Sequence, residues 1–84
     1  MDSIANLSVA EGTCNTAATV SFPWRARYIE IINDSGSDNL TFKFNTSESF
    51  STLKPTEAVV VPVHSNTVYL ASGDSVAYSV RSFG

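Results

Sequence analysis

Strict alternation of apolar and polar residues is the feature that most limits what this chain can fold into. Ala18, Val20 and Phe22 share one face of a run that is otherwise made of small and hydroxyl residues. The same period of two recurs in residues 40–44 and 75–81. A period of two places successive side chains on opposite faces of a β-strand. No segment carries the pattern of a long helix, so the sequence predicts an all-β protein.

Clusters of Gly, Pro, Asn, Asp and Ser separate the alternating runs at regular intervals, and Pro23 is expected to end the first run. This spacing predicts a small antiparallel β-sandwich or jelly-roll-like barrel of about 6–8 strands. A chain of 84 residues has room for one such domain with a thin core.

The N-terminal residues follow a weaker pattern than the rest of the chain. Ile4, Leu7 and Val9 are apolar, but the surrounding residues show neither a helical stripe nor strict alternation. We therefore expect an N-terminal arm in residues 1–15, loosely held or docked on a neighbour, followed by a β-sandwich domain in residues 16–84.

The charge distribution argues against two classes of partner. Five Lys and Arg residues are scattered among eight Asp and Glu residues, for a net charge of −3, and no basic stripe exists for nucleic acid to bind. No apolar run has the length of a membrane span, so we expect a soluble protein without membrane contact. The start "MDSIANLSVAEG" has neither the basic nor the apolar part of a secretory signal.

The surface is expected to be rich in hydroxyl groups. Ser and Thr occupy 21 of the 84 positions, whereas charged residues make up 15% of the chain. Hydroxyl-bearing faces lose their water at a lower electrostatic cost than charged faces, which suits a surface that another protein covers. Cys14 is the single cysteine and has no partner for an internal disulfide, so stability must come from packing or association.

The polar stretch "NDSGSDN", residues 33–39, lies between two apolar runs and raises the question of a metal site. Its oxygen donors could hold Ca²⁺, but their spacing does not match that of an EF-hand loop. Asn and Asp close Asx-turns, Gly36 can adopt a positive φ, and the flanking runs can form a hairpin. The sequence favours a bend between strands over a cation site.

Candidate catalytic residues are few. His64 is the one imidazole, and the adjacent Ser65 would point to the opposite face of a strand. One His and one Cys are too few for a zinc site of the usual kind. The possible carboxylate pairs all involve residues in predicted turns or loop edges, namely Asp34, Asp38, Glu48, Glu57 and Asp74. We therefore assign no catalytic residue, cofactor or metal ligand, and expect a protein that is not an enzyme.

The segment "FPWRARY" is the main aromatic patch. Trp24 can serve as a lid on the core, or it can act with Arg25 and Arg27 in binding, since Trp, Tyr and Arg are enriched at interface hot spots. The candidate partner-binding residues are Ile4, Leu7, Val9, Trp24, Arg25 and Arg27.

Three stretches carry a family resemblance: "YIEIINDSGSDNLTFKFN", "SFSTLKPTEAVVVP" and "SNTVYLASGDSVAYSVRSFG". Residues 28–84, which include them, resemble small β-sandwich virion structural proteins of tailed bacteriophages, of the capsid decoration or cement kind. Proteins of this appearance often have Gly after the L-K-P turn, where this chain has Thr56. A type I turn would be tolerated there instead, so the resemblance leaves open which type of turn this chain forms.

The resemblance implies a non-enzymatic virion structural protein, most specifically a capsid decoration protein that stabilises the head by binding capsid subunits. It also implies a major capsid protein or another virion protein as partner, a homo-oligomer such as a trimer, and a place on the capsid surface after assembly in the cytoplasm of the bacterial host. No catalytic residues are transferred.

An alternative function is a carbohydrate-binding or host-recognition module of a neck or tail fibre. In that role Trp24, Tyr28 and Tyr69 would stack on sugar rings.

Overall fold

The computed structural model describes residues 7–84, and for Leu7 the backbone alone. The strands are β1 (Leu7–Asn33), β2 (Leu40–Lys43), β3 (Ser51–Leu53) and β4 (Ala58–Phe83). Among these residues the structure has no helix at all, and hence none that could cross a membrane. The prediction of an all-β chain is confirmed.

β1 and β4 are long because each bends and changes its partner along its length. A bulge at Thr16 separates the first two paired stretches of β1. A second interruption lies between Ser21 and Ala26, around Pro23, which cannot donate to a ladder. The proline therefore breaks the pairing, although the extended backbone of β1 continues through it.

These bends divide the antiparallel pairing into eight segments that form two layers of four. The first layer has the order 7–15, 75–83, 28–33 and 58–62. The second layer has the order 17–21, 67–71, 41–43 and 51–53. Eight antiparallel segments in two four-stranded layers are the arrangement of a jelly roll. The predicted β-sandwich or jelly-roll-like barrel of about 6–8 strands is confirmed.

One apolar core lies between the layers, built from the alternate residues of each segment. Its buried side chains are Cys14, Val20, Phe22, Ala26, Ile29, Ile31, Leu40, Phe42, Leu53, Val68, Leu70, Val76 and Val80. Side chains thus fill the interior, as is usual in small barrels.

Residues 7–15 differ from the sequence expectation, because they form the edge strand of the first layer and pair with residues 75–83. Cys14 is fully buried, and Ala10 packs against the core. Gly12 leaves room for the Tyr78 ring, since a Cβ there would lie 2.9 Å from the Tyr78 hydroxyl oxygen. Because the inward-facing residues of this segment are small, the sequence shows no clear alternation of large apolar and polar residues there. A loosely held arm is thus wrong for residues 7–15, and residues 1–6, with Ile4, lie outside the described part.

The turn after β3 is of the type that usually has Gly at the position of Thr56. The Glu57 N–H donates to the Lys54 carbonyl at 3.1 Å, and Thr56, at the third position, has a φ of 67°. Positive φ at that position belongs to a type II turn, so the chain does not form the type I turn that Thr56 would tolerate. Tertiary hydrogen bonds hold this geometry, because the Thr56 N–H donates to the Ser35 carbonyl and the Glu57 carbonyl accepts the Asn33 N–H.

Replacing Thr56 with Gly should stabilise the protein by about 0.5–1 kcal/mol. A β-branched residue in the left-handed region is strained by about 1–2 kcal/mol, and the greater freedom of Gly in the unfolded chain offsets part of that gain. Urea unfolding measures the change in the free energy of unfolding.

Thr52→Gly is the matched control, since Thr52 lies in β3 with extended backbone. It should destabilise the protein. If the Thr56→Gly variant is no more stable than the wild type, the positive φ of Thr56 does not strain the backbone.

Candidate functional site

The polar stretch after β1 is organised by the fully buried side chain of Asn33. Its amide nitrogen donates to the carbonyls of Asp38 at 2.8 Å and of Leu53 and Lys54 at 3.1 Å. Its Oδ1 accepts the Ser35 N–H at 2.9 Å, which closes an Asx-turn. One side chain therefore joins the loop after β1 to the turn after β3.

This stretch carries the chain from one layer to the other. Asn33 pairs within the first layer, whereas Leu40 pairs with Leu53 in the second. The interpretation as a bend agrees with the structure, but the hairpin is wrong, because the flanking strands have different partners. The expected positive φ of Gly36 is also wrong, since no described glycine has one.

Hydrogen bonds within the protein occupy side-chain oxygen atoms of this bend. The Ser35 hydroxyl accepts the N–H groups of Ser37 at 3.2 Å and Asp38 at 3.0 Å. Within residues 7–84, no group of three or more His, Cys, Asp or Glu side chains is placed to hold a metal ion.

Replacing Asn33 with Ala should destabilise the protein by about 3 kcal/mol, because buried carbonyls would lose their donor. Asn33→Asp should be at least as harmful, since it places a carboxylate against three carbonyl oxygens. Thermal and urea unfolding measure both effects. The exposed Asn39→Ala is the matched control and should change stability by less than about 0.5 kcal/mol. Equal effects of Asn33→Ala and Asn39→Ala would show that Asn33 does not organise the bend.

The carboxylates act as local hydrogen-bond acceptors. Glu48 Oε1 accepts the Phe44 N–H at 3.0 Å, and Glu57 Oε1 accepts the Lys54 N–H at 2.7 Å. Asp34 Oδ2 accepts a hydroxyl of β4 at 2.7 Å. Each of these contacts secures a turn or a strand end.

Arg25 contacts His64 at its backbone carbonyl and not at its imidazole. The Arg25 guanidinium donates from Nε at 3.2 Å and from Nη2 at 2.6 Å to the carbonyl oxygen of His64. This clasp ties the interrupted part of β1 to β4. The Ser65 hydroxyl donates to the Thr67 carbonyl at 3.1 Å and so belongs to its own turn.

The other residues of the aromatic patch are separated. Trp24 is half-buried and packs against the core, whereas Arg27 is exposed. Tyr28 alternates with buried Ile29 on the solvent side of the first layer. Tyr69 alternates with buried neighbours on the solvent side of the second layer. Tyr28 and Tyr69 therefore cannot form one stacking platform with Trp24.

Two open grooves lie beside the hairpin of β2 and β3. The larger, of about 480 Å³, runs between Phe42, Phe44 and Val61. The smaller, of about 300 Å³, continues past Phe44 to Val63 and His64. Both are open surface depressions, and the larger reaches the core residue Phe42.

The most distinctive surface is the solvent side of the first layer, here named the outer face. Among residues 8–84, three of the four exposed large apolar side chains lie on it: Val9 (51% exposed), Tyr28 (50%) and Val60 (54%). The half-buried Phe83 and Ile32 lie among them. The solvent side of an antiparallel sheet is ordinarily polar, so these apolar side chains set the outer face apart from an ordinary solvent side.

One ion pair crosses the middle of the outer face. Arg81 Nη1 lies 3.3 Å from Glu30 Oε1, and the two residues are cross-strand neighbours. Both side chains keep access to solvent, so the pair contributes little to folding stability. Of the predicted partner-binding residues, the outer face contains Val9. Val60, Arg81 and Phe83 could not be identified from the sequence, because the pairing of β1 with β4 decides which side of each strand faces solvent.

Comparison with solved structures identifies the class of fold. A cupin superfamily protein from Desulfitobacterium hafniense superposes with a TM-score of 0.66 at 12% identity, over 99% of this chain and 72% of that one. A cupin-2 domain protein from Shewanella frigidimarina gives 0.64 at 11% identity, over 99% and 76%. The chain thus has a cupin-like jelly-roll fold.

A viral structural protein has the same fold. The C-terminal domain of a structural protein from Sulfolobus turreted icosahedral virus gives a TM-score of 0.58 at 17% identity, over 90% of this chain and 95% of that domain. No family model matches the chain, and no curated protein matches it in sequence.

Proposed function

We propose that this chain is a non-enzymatic structural protein of a bacteriophage particle, and specifically a decoration or cement protein that stabilises the head by binding capsid subunits. The outer face is the observation that carries the proposal. It concentrates Val9, Tyr28 and Val60 on one side of a four-stranded sheet.

The physical argument is the free energy available from covering that face. Removing apolar surface from water is worth roughly 25 cal/mol per Å², so covering several half-exposed Val, Tyr and Phe side chains provides several kcal/mol. Association has its own entropic cost, and the net affinity is smaller. An apolar patch on a rigid sheet nevertheless favours a protein partner of matching shape.

The role in a virus particle is supported by the viral domain described above, which this chain matches along nearly the whole length of that domain. At 17% identity, the likeness to this viral domain is one of fold. The bacteriophage part of the proposal comes from the sequence resemblance of residues 28–84. The acidic, hydroxyl-rich surface is compatible with protein partners.

The proposed mechanism is mechanical. A protein that binds the assembled shell, and not its separated subunits, stabilises the shell by mass action. Such a protein needs a rigid scaffold and an apolar contact surface. The filled core provides the first and the outer face the second. The place of action would be the capsid surface, after assembly in the cytoplasm of the host.

Co-sedimentation with expanded heads of the phage that encodes the chain tests the proposal. The wild-type chain should pellet with the heads, and Tyr28→Ser should weaken binding by about tenfold, because a half-exposed aromatic ring of the outer face is lost. Tyr69→Ser is the matched control, because it removes a tyrosine ring from the solvent side of the second layer. Binding of this variant to heads should be unchanged. A wild-type chain that stays in the supernatant would rule out the decoration role.

A further inference from the structure

We propose that the outer face binds a second copy of this chain, face to face, about a two-fold axis that runs along the strands between residues 28–33 and residues 75–83. The proposal goes beyond the proposed function: the second copy covers the outer face of the free chain, and a capsid subunit takes its place on the head. It rests on the geometry of the face and does not require the virion role.

The middle row of the outer face has the symmetry that a two-fold axis needs. Across the four strands, neighbouring residues at this level are Val9, Arg81, Glu30 and Val60, in that order. The row reads apolar, basic, acidic, apolar. Rotation about an axis between its two central strands places the Arg81 side chain over Glu30 of the second copy and Val9 over Val60.

The rows on either side obey the same symmetry. Towards one end, Phe83 and Tyr28 are neighbours on the two central strands, so the rotation places the Phe83 ring over Tyr28 of the second copy. Towards the other end, Ser79 and Ile32 occupy the equivalent positions. Asp34 covers Ser79 by accepting a hydrogen bond from its hydroxyl at 2.7 Å. The rows of Arg81 and Phe83 thus meet complementary rows, whereas in the row of Ser79 the exposed Glu11 lies over Ala58 of the second copy.

Charge complementarity is what favours a second copy over another occupant. Covering the central ion pair with an apolar surface would remove its water without replacing it. A second copy instead gives each Arg81 a second carboxylate and each Glu30 a second guanidinium, in a closed square of alternating charge. An unrelated protein would have to supply the same alternation independently.

The size of the face sets the strength of the contact. Four strands at about 4.8 Å spacing and six residues at about 3.4 Å give roughly 19 by 20 Å, or about 400 Å² in plan for each copy. The total accessible area is larger than the plan area because side chains project from the sheet, and it lies near the low end of stable interfaces. The structure therefore predicts a weak dimer whose population depends on concentration.

A charge-exchange experiment tests the proposal. Sedimentation equilibrium of the wild-type chain should show a shift from the 9.0 kDa monomer towards twice that mass as the concentration rises from about 10 μM to about 1 mM. Arg81→Glu and Glu30→Arg, each alone, set like charges against each other twice per dimer. Each should raise the dimer Kd by about tenfold or more.

The mixture of the two variants is the decisive sample. In a dimer of one Arg81→Glu chain and one Glu30→Arg chain, both contacts between copies again join opposite charges. The mixture should therefore regain the wild-type dimer population. Thr19→Lys, an exposed residue of the second layer, is the control and should leave the dimer population unchanged.

Several results would overturn the proposal. A wild-type chain that remains a monomer up to about 1 mM would do so, since a face of this size and composition should self-associate in that range. Variants with the wild-type dimer population would place the interface elsewhere. A mixture that stays monomeric would rule out the face-to-face pairing.

If either charge variant fails to fold, Val60→Lys provides the same test, because it places a charge opposite Val9 of the second copy. It should abolish the dimer while circular dichroism stays that of the wild type.

A dimer that does not bind heads would overturn the decoration role alone. A chain that binds heads but forms no dimer up to about 1 mM would overturn the dimer alone.

Discussion

The antiparallel ladder between β1 and β4 is the interaction on which the rest of the structure depends. It joins the first third of the chain to the last third, and it supplies partners for three successive stretches of β1. Both layers of the jelly roll are extensions of this ladder, since β2 pairs with β4 and β3 pairs with β2. Such non-local pairing must be formed before the core can close, so folding should be slow for a chain of this size.

The fold was predictable from the sequence because one residue in two is apolar along most strands, as in Val68 and Leu70 or Phe42 and Leu40. Two local features were not predictable. Residues 7–15 present Ala10, Gly12 and Cys14 to the interior, and residues this small give little contrast with polar neighbours. Thr56 keeps a positive φ because hydrogen bonds from the neighbouring bend impose it against local preference.

The candidate surface was only partly predictable. Val9, predicted to bind a partner, lies on the outer face, whereas Arg25 donates to the His64 carbonyl within the chain. The outer face brings together residues from four segments that are far apart in sequence, and only the strand pairing shows that Arg81 and Glu30 are neighbours. The proposed binding of another protein rests on the filled interior and on three exposed apolar side chains that lie on one sheet.

Hydroxyl-radical footprinting measures whether the outer face is covered when the protein acts. The free chain is compared with the chain in its assembled state, bound to heads or to a second copy. Tyr28, Phe83 and Tyr69 are aromatic reporters of the two solvent sides of the molecule. The account predicts that Tyr28 and Phe83 lose reactivity on assembly while Tyr69 keeps it. Loss of reactivity at Tyr69, with Tyr28 and Phe83 unchanged, would contradict the account.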